Sequence, residues 1–454
     1  NIFKKKKALF SLVVVFLVTF VALWNVVSGG YDRQNKAILF IKKFVPPKIS
    51  RQIRDFIFVI PDLKQRNKFL TTQVNKYEQG MEGQVFHEEI LISHNNKKEY
   101  FLREFFLPFP RFDPRLGWGG KKNSSNKHYL GFFKDKVIVV SGKGRTIYFE
   151  KKNFLNKKLS QIEIENNINI LLEKNNSKLI GVRDLFIEDK KIYISIIFEK
   201  NKKISINAYR ADLNIEKLNF ELFFETNEYW DTYNVYSGGR FSKYKDGEIL
   251  FTIGFAAVKN AAQQMNSLLG KIISINKSTG LHKIISIGHR NPQGIYYIKK
   301  LDIIINTEHG PKGGDEININ FQEKNVIPNF GWDIASYGKP YLEEPDLFKK
   351  SHKEYGFVEP FKYYTPSIGI SQLLYMKHNL DLEEGNHLFV TSLRACSIYV
   401  IKFNEELNEI TNEDRIYIHE RRIRDIAYDK KNNVFFLIFE NTPSIGILST
   451  DKLN

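Results

Sequence analysis

Three short segments combine residue types that could hold and polarise a small anionic molecule. Gly288-His289-Arg290-Asn291-Pro292-Gln293-Gly294 packs hydrogen-bond donors and acceptors between two glycines. Thr307-Glu308-His309-Gly310-Pro311-Lys312-Gly313-Gly314-Asp315-Glu316 places an imidazole and carboxylates in a turn whose glycines let backbone approach a ligand closely. Arg422-Ile423-Arg424-Asp425 puts two guanidinium groups on one side of an extended segment, because side chains there repeat every two residues. Free carbonyls beside a carboxylate suit a hard cation such as Ca²⁺. Convergent arginines suit the planar carboxylates of a polyanion. Any one of these segments is an ordinary loop of an all-β protein; three in one chain point to a site.

The elements that must position them repeat. After Gly80 an apolar pair leads into a short polar turn and then into an alternating strand. Phe132-Phe133 precedes Val137–Val140, Leu185-Phe186 precedes Ile192–Ile197, and Phe241 precedes Ile249–Ile253. Ile295-Tyr296 precedes Ile303–Ile305, Leu373-Leu374 precedes Leu388–Val390, and Ile426-Ala427 precedes Val434–Phe439. Six hairpins at blade-sized spacing predict an all-β, six-bladed β-propeller over residues 81–454, each blade a four-stranded sheet. A β-sandwich does not ask for a repeat of this length. The one long interval contains Gly331 to Thr365, read as an insertion between blades. Propellers carry function on loops at one mouth of the channel, which is where the three segments belong.

Composition narrows the class. Of 454 residues, 42% are hydrophobic and 14% aromatic, which builds a core and excludes disorder. The single cysteine, Cys396, excludes an intrachain disulfide and a thiolate metal cluster. A net charge of +17 raises nucleic acid as a partner, but residues 1–60 hold eleven Lys/Arg against two Asp/Glu, and no arginine-rich stripe follows. Nucleic acid is therefore not expected. Lys4–Lys7 precede an apolar run, residues 8–27, long enough to span a bilayer as a helix. The run exceeds the ~7–15 residues of a signal-peptide core, which favours a retained anchor. The positive-inside rule then puts residues 1–30 in the inner membrane with a cytoplasmic stub, and the rest on the periplasmic side. Residues 31–80 read as a basic, partly helical juxtamembrane segment that can lie on headgroups, pack on the next domain, or serve a homodimer or membrane partner.

The three loops, in this order and on this repeat, resemble the pyrroloquinoline-quinone (PQQ)-dependent glucose/sorbosone dehydrogenases, a family of soluble glucose and aldose sugar dehydrogenases. Agreement runs from about Arg240 to Ile447, and more weakly back to about Gln84; Asn329-Phe330-Gly331-Trp332, Tyr337-Gly338, Tyr364-Thr365-Pro366-Ser367 and Ser392-Leu393-Arg394 fit the later blades. The resemblance implies a six-bladed propeller that oxidises a sugar at its anomeric carbon by hydride transfer to PQQ. It implies that Arg290, Asn291, Arg422 and Arg424 hold the quinone, that His309 and Asp315 line the pocket, and that the carbonyls of Gly310 and Pro311 ligate Ca²⁺. Two positions depart from the family. Tyr236-Ser237-Gly238-Gly239-Arg240 carries Tyr236 where the family has its base histidine, with Arg240 kept beside it, and Arg394 replaces a lysine beside the cofactor. A phenol ionises near ~10 and an imidazole near ~6.5, so a tyrosine is a weak base at neutral pH. The alternatives are a divergent dehydrogenase using Tyr236 or another base, and an inactive propeller that binds a saccharide or a protein. A Ca²⁺-dependent hydrolase would need a carboxylate cluster that the sequence lacks.

Overall fold

The computed structural model describes residues 83, 85–109, 127–155, 158–231, 236–341, 348–377, 384–440 and 442–453. The chain divides into two compact units, Asn1–Met81 and Glu82–Asn454, and every described residue belongs to the second. The expected membrane helix over 8–27 and the juxtamembrane segment 31–80 lie outside the described residues. Among the described residues no helix is long and apolar enough to cross a membrane.

Six sheets follow one another as the blades of a propeller, four of them four-stranded and blades 1 and 6 five-stranded, antiparallel except where the two-residue edge strand Lys217–Leu218 runs parallel to Ile162–Asn166. Their inner strands are His128–Phe133, Ser177–Glu188, Gly238–Lys243, Pro292–Ile298, Ile370–Met376 and Ile423–Asp429, for blades 1 to 6. The second strands begin at Lys136, Lys191, Glu248, Ile303, Asn386 and Val434. These starts fall within two residues of those expected from the hairpin pattern. Blade 6 closes the ring: its first three strands are C-terminal, and Glu99–Phe106 pairs with Ser444–Ser449 and then with Val85–Ile92.

The second strands are buried along nearly their whole length, and mostly apolar, because each blade is covered on both faces. Val137 and Val139 pack with Phe436 and Ile447 of blade 6, whereas Ile138 and Val140 pack with Ile194 and Ile196 of blade 2. Each of the six blade-to-blade junctions has such a cluster, the smallest lying between blades 3 and 4 around Leu250, Ile272 and Ile304. One expectation is corrected. The segment from Gly331 to Thr365 is not an insertion between blades: it lies inside blade 4, between Asp315–Asn320 and the outer strand Lys362–Tyr364.

Candidate active site

Residues at or just before the start of the inner strands, and Arg183 in the middle of the second, line one cavity of about 230 Å³. Five of the six inner strands carry a register irregularity, at Val182/Asp184 in mid-strand and at Gly238/Phe241, Pro292/Gly294, Ile370/Leu373 and Ile423/Asp425 near the start. A bulge breaks the strict in-out alternation and re-aims side chains. Neighbouring residues of one strand can thereby both serve the channel.

Blade 4 supplies the first wall. Arg290 is 4% exposed; its backbone N–H donates to Glu308 Oε2 at 2.7 Å, and its Nη1 donates to the His309 carbonyl at 3.0 Å. Its guanidinium lies 4.7 Å from the centre of the Tyr236 ring and 5.1 Å from that of Trp332. Buried His289 anchors the same loop, with Nδ1 3.0 Å from Glu308 Oε1 and Nε2 2.7 Å from Ser286 Oγ. Gly288 has φ +76°, and a Cβ there would meet the Gly331 nitrogen at 2.6 Å, so the two glycine-containing segments fit only as glycines. Asn291 Oδ1 accepts from the Gly238 N–H and from Gln293 Nε2, both at 3.2 Å.

His309 and Asp315 also line the cavity, with Nδ1 of the imidazole 3.9 Å from Oδ1 of the carboxylate. Asp315 accepts from Gly310 N–H at 3.1 Å, Ser367 Oγ at 2.6 Å and Ile370 N–H at 3.0 Å. Burial pushes the Asp315 carboxyl up, but His309 and these hydrogen bonds outweigh it and hold it below the usual carboxylate range. Burial lowers the His309 pKa, more than Asp315 raises it. At neutral pH the pair is therefore a carboxylate beside a neutral imidazole.

Blade 6 supplies a second wall. Arg424 donates through Nε to Glu440 Oε2 at 2.6 Å and again through Nη2, and its Nη1 donates to Gln293 Oε1 at 2.9 Å. Arg422 Nη2 donates to Glu440 Oε1 at 3.2 Å. Burial raises the Glu440 pKa, but Arg424, Arg422 and Lys127 overcome it and hold the carboxyl well below its ordinary value. Gly310 and Pro311 line the cavity too. Among the described residues no group of three or more His, Cys, Asp or Glu is placed to hold a metal, so a Ca²⁺ here would rest on backbone carbonyls.

Two sequence-predicted residues are not on the cavity wall. Arg394 is exposed, with Nη1 3.4 Å from the Ser367 carbonyl. Arg240, expected in the catalytic set, is fully buried and joins four blades. It donates to Asp184 of blade 2 at 2.7 Å, to Asp425 of blade 6 at 3.3 Å, to the Arg424 carbonyl at 2.9 Å and to the Gln293 carbonyl of blade 4 at 2.8 Å. Its guanidinium also stacks 4.8 Å over Tyr129 of blade 1. Burial raises the Asp425 carboxyl to about 6, with Asp184 adding to the rise and Arg240 opposing it. Tyr236 does line the cavity, stacked 5.7 Å from Phe255.

The structure adds wall residues that the loops did not reveal: Lys127, Arg183 and Gln293, with Glu440 behind Arg422 and Arg424. The repeat itself held the signal. Arg183, Gln293 and Arg424 each stand two residues before the apolar pair of their hairpin, and Asp184 and Asp425, which share Arg240, each stand one before.

The cavity suits a planar tricarboxylate quinone by charge. Five basic side chains (Lys127, Arg183, Arg290, Arg422, Arg424) line it against one carboxylate, Asp315, with Glu440 the nearest counter-ion. Arg290 Nε is buried without a hydrogen-bond partner among the described residues, as an acceptor-bearing ligand would require.

Comparison with known proteins identifies the family. The glucose/sorbosone dehydrogenase family model matches residues 130–445. An uncharacterized protein of Synechocystis sp., slr1608, is 26% identical over 286 residues, which are 58% of this chain and 68% of that protein. The aldose sugar dehydrogenase YliI of Escherichia coli is 26% identical over 219 residues; the match spans 45% of this chain and 57% of YliI, less than two thirds of its length. Among solved structures, the apo form of the soluble aldose sugar dehydrogenase of Escherichia coli superposes with a TM-score of 0.58 at 20% identity, covering 72% of this chain and 97% of that one. That likeness shows a common fold.

Proposed function

Since the chain belongs to the glucose/sorbosone dehydrogenase family, we propose that it is a PQQ-dependent aldose sugar dehydrogenase whose proton acceptor has moved from the Tyr236 position to His309. The observation that carries this reading is the placement of His309, with Nδ1 3.9 Å from the buried Asp315 carboxylate, on the wall of a cavity lined by five basic side chains. Arg290, Asn291, Arg422 and Arg424 would hold the carboxylates and carbonyl oxygens of the quinone, and the Gly310 and Pro311 carbonyls would face Ca²⁺. The bound quinone supplies a two-electron acceptor for the hydride that leaves the anomeric carbon of the sugar. His309 takes the proton of the anomeric hydroxyl, and Asp315, held in place by Ser367 and Ile370, favours the imidazolium that results. Tyr236 packs against Arg290 and Phe255 and shapes the wall.

The apolar run 8–27 behind Lys4–Lys7 supports an inner-membrane anchor with the propeller on the periplasmic side. Retention in the membrane pellet after carbonate washing is the expected outcome, and release by high salt would refute the anchor. For the activity, the full chain is reconstituted with PQQ and Ca²⁺ and assayed by absorbance and by dye reduction on aldoses. Quinone-dependent dye reduction supports the reading. Absence of quinone binding would end it and favour a saccharide-binding propeller.

A further inference from the structure

Arg183 is a buried charge that the protein leaves largely open. It is 3% exposed and lines the cavity, yet none of its three guanidinium nitrogens has a hydrogen bond of good geometry among the described residues. Tyr129, close by, and the Glu440 carboxylate are its favourable electrostatic neighbours. A buried cation left in this state is strongly disfavoured unless a ligand completes it.

The fold goes to some length to seat it there. The bulge at Val182/Asp184 sends Arg183 to the cavity and Asp184 to Arg240. Across the blade junction Gly239 has φ +103°, and a Cβ at that position would lie 2.6 Å from the Arg183 Cβ, so the glycine makes room for the arginine. A second basic side chain stands beside it, Lys127, whose amine is pushed well below the usual lysine range by burial and by the nearby Arg183 and Arg424, so that an anion between the pair would favour its charged form. The Lys127 carbonyl accepts from the Gly142 N–H at 2.6 Å, and the Gly142 carbonyl accepts from the N–H of Val182, the residue before Arg183, at 3.0 Å. Half-buried Lys127 lines the same cavity, and no side-chain carboxylate of blades 1 to 3 lines it opposite the pair.

The residues proposed to hold the quinone come from blades 4 to 6, and Arg422 and Arg424 already share Glu440. Lys127 and Arg183 come from blades 1 and 2. We propose that they form an anion subsite for the substrate, so that the preferred sugar is an acidic aldose, with a carboxylate or phosphate group held by the pair and its anomeric carbon free. This rests on the dehydrogenase reading for the identity of the ligand as a sugar. A carboxylate or phosphate accepts the forked donors of Arg183 in a way that a sugar hydroxyl cannot match.

The test measures binding of D-glucuronate, D-glucose 6-phosphate and D-glucose to the full chain by calorimetry, with and without PQQ and Ca²⁺, alongside dye-reduction kinetics. At least one acidic sugar should bind about tenfold or more tightly than glucose, as expected for one added charge-assisted contact. The ordering of the two acidic sugars identifies carboxylate or phosphate as the group held. Arg183→Gln and Lys127→Gln should each reduce the acidic-to-neutral ratio by about tenfold, while Arg183→Lys should retain part of it. Lys127→Gln carries the test if the Arg183 variants do not fold. Equal affinity for the three sugars would overturn the proposal and leave the dehydrogenase reading intact. Loss of quinone binding in Arg183→Gln, with the sugar ratio unchanged, would overturn it by assigning the pair to the cofactor. Tight binding of an acidic sugar without turnover of any sugar would sustain the subsite and refute the dehydrogenase.

Discussion

The two halves of the cavity are built on different principles. On the side of blades 4 to 6, each charged side chain has a protein partner, though Arg290 Nε is left open: Arg422 and Arg424 with Glu440, Asp315 with Ser367 and Ile370, Arg290 with Glu308 and His309. On the side of blades 1 to 3 stand Lys127, the largely open Arg183 and an aromatic wall formed by Tyr236 with Phe255. The first half is preorganised, its dipoles fixed before a ligand arrives, which is how a site stabilises charge without reorganisation. The second half is incomplete by itself. A rigid half that keeps the chemistry and an open half that chooses the ligand is the division of labour this contrast teaches.

The largest effect should come from moving the base back across that divide. His309→Gln should lower kcat by about 10²–10⁴-fold at neutral pH while quinone binding persists, the range for loss of general-base assistance. Tyr236→Phe should cost less than about tenfold in the same dye-reduction assay. The opposite ranking would return the base to blade 3 and leave His309 as a wall residue.

Arg240 is what holds the halves together. Arg240→Ala leaves Asp184 and Asp425 buried without their shared cation and should destabilise the propeller by about 3–5 kcal/mol, read from urea unfolding. A loss below ~1 kcal/mol would mean that the hub is decorative, since that is the range for an exposed pair.

Why Arg240 was expected among the catalytic residues is instructive. Its position next to Gly238-Gly239 is visible in the sequence, but its partners stand 56 and 185 residues away and become neighbours only when blades 2, 3 and 6 converge. The blades themselves were legible because strands buried on both faces must be apolar without interruption, as Val137–Val140 and Val434–Phe439 are. The outer strand of blade 4 was not, since Lys362–Tyr364 is three residues long and carries no periodicity, so the insertion seemed to fall between blades. The loops of blade 4 stood out because glycines bracket their polar residues, and the start of the blade 6 strand because two arginines stand two residues apart. Lys127 and Arg183 stand alone: Arg183 sits inside a strand whose bulge is not visible in the sequence, and only its place in the repeat, shared with Gln293 and Arg424, marks it.

The halves should also differ in acid. Glu440 belongs to the blade 6 wall, and its folded pKa is depressed below the ordinary 4.5. A carboxylate so depressed contributes stability that is fully present above its unfolded value and lost as pH falls below it. Unfolding free energy should therefore drop below about pH 4.5, and Glu440→Gln should flatten that drop while costing about 2 kcal/mol at pH 7, where Arg422 and Arg424 lose their anion. Unchanged acid sensitivity in the variant would show that Glu440 is not the group that fails.

The smallest effect sits in the other half and in a higher pH window. His128 of blade 1 is fully buried next to Lys127, stacked 4.9 Å from Phe109, and neither ring nitrogen has a hydrogen-bond partner among the described residues. Burial lowers its pKa from 6.5 to about 3, with Glu440 opposing only weakly. Here the unfolded chain binds a proton that the folded chain refuses, so stability is complete above the unfolded value and falls as pH drops from about 6.5 toward 3. Between pH 7 and 5.5 that amounts to about 1 kcal/mol, before Glu440 has begun to titrate. His128→Phe keeps the stacked ring and removes this titration, so it should lessen the loss of stability between pH 7 and 5.5 by about 1 kcal/mol, leaving the shares of Asp425 and His309 and the Glu440 drop below pH 4.5 in place. If the variant and the parent chain lose stability in parallel over pH 5.5–7, the acid response of the two halves is one process, and the distinction between a preorganised wall and an open one does not extend to their protonation.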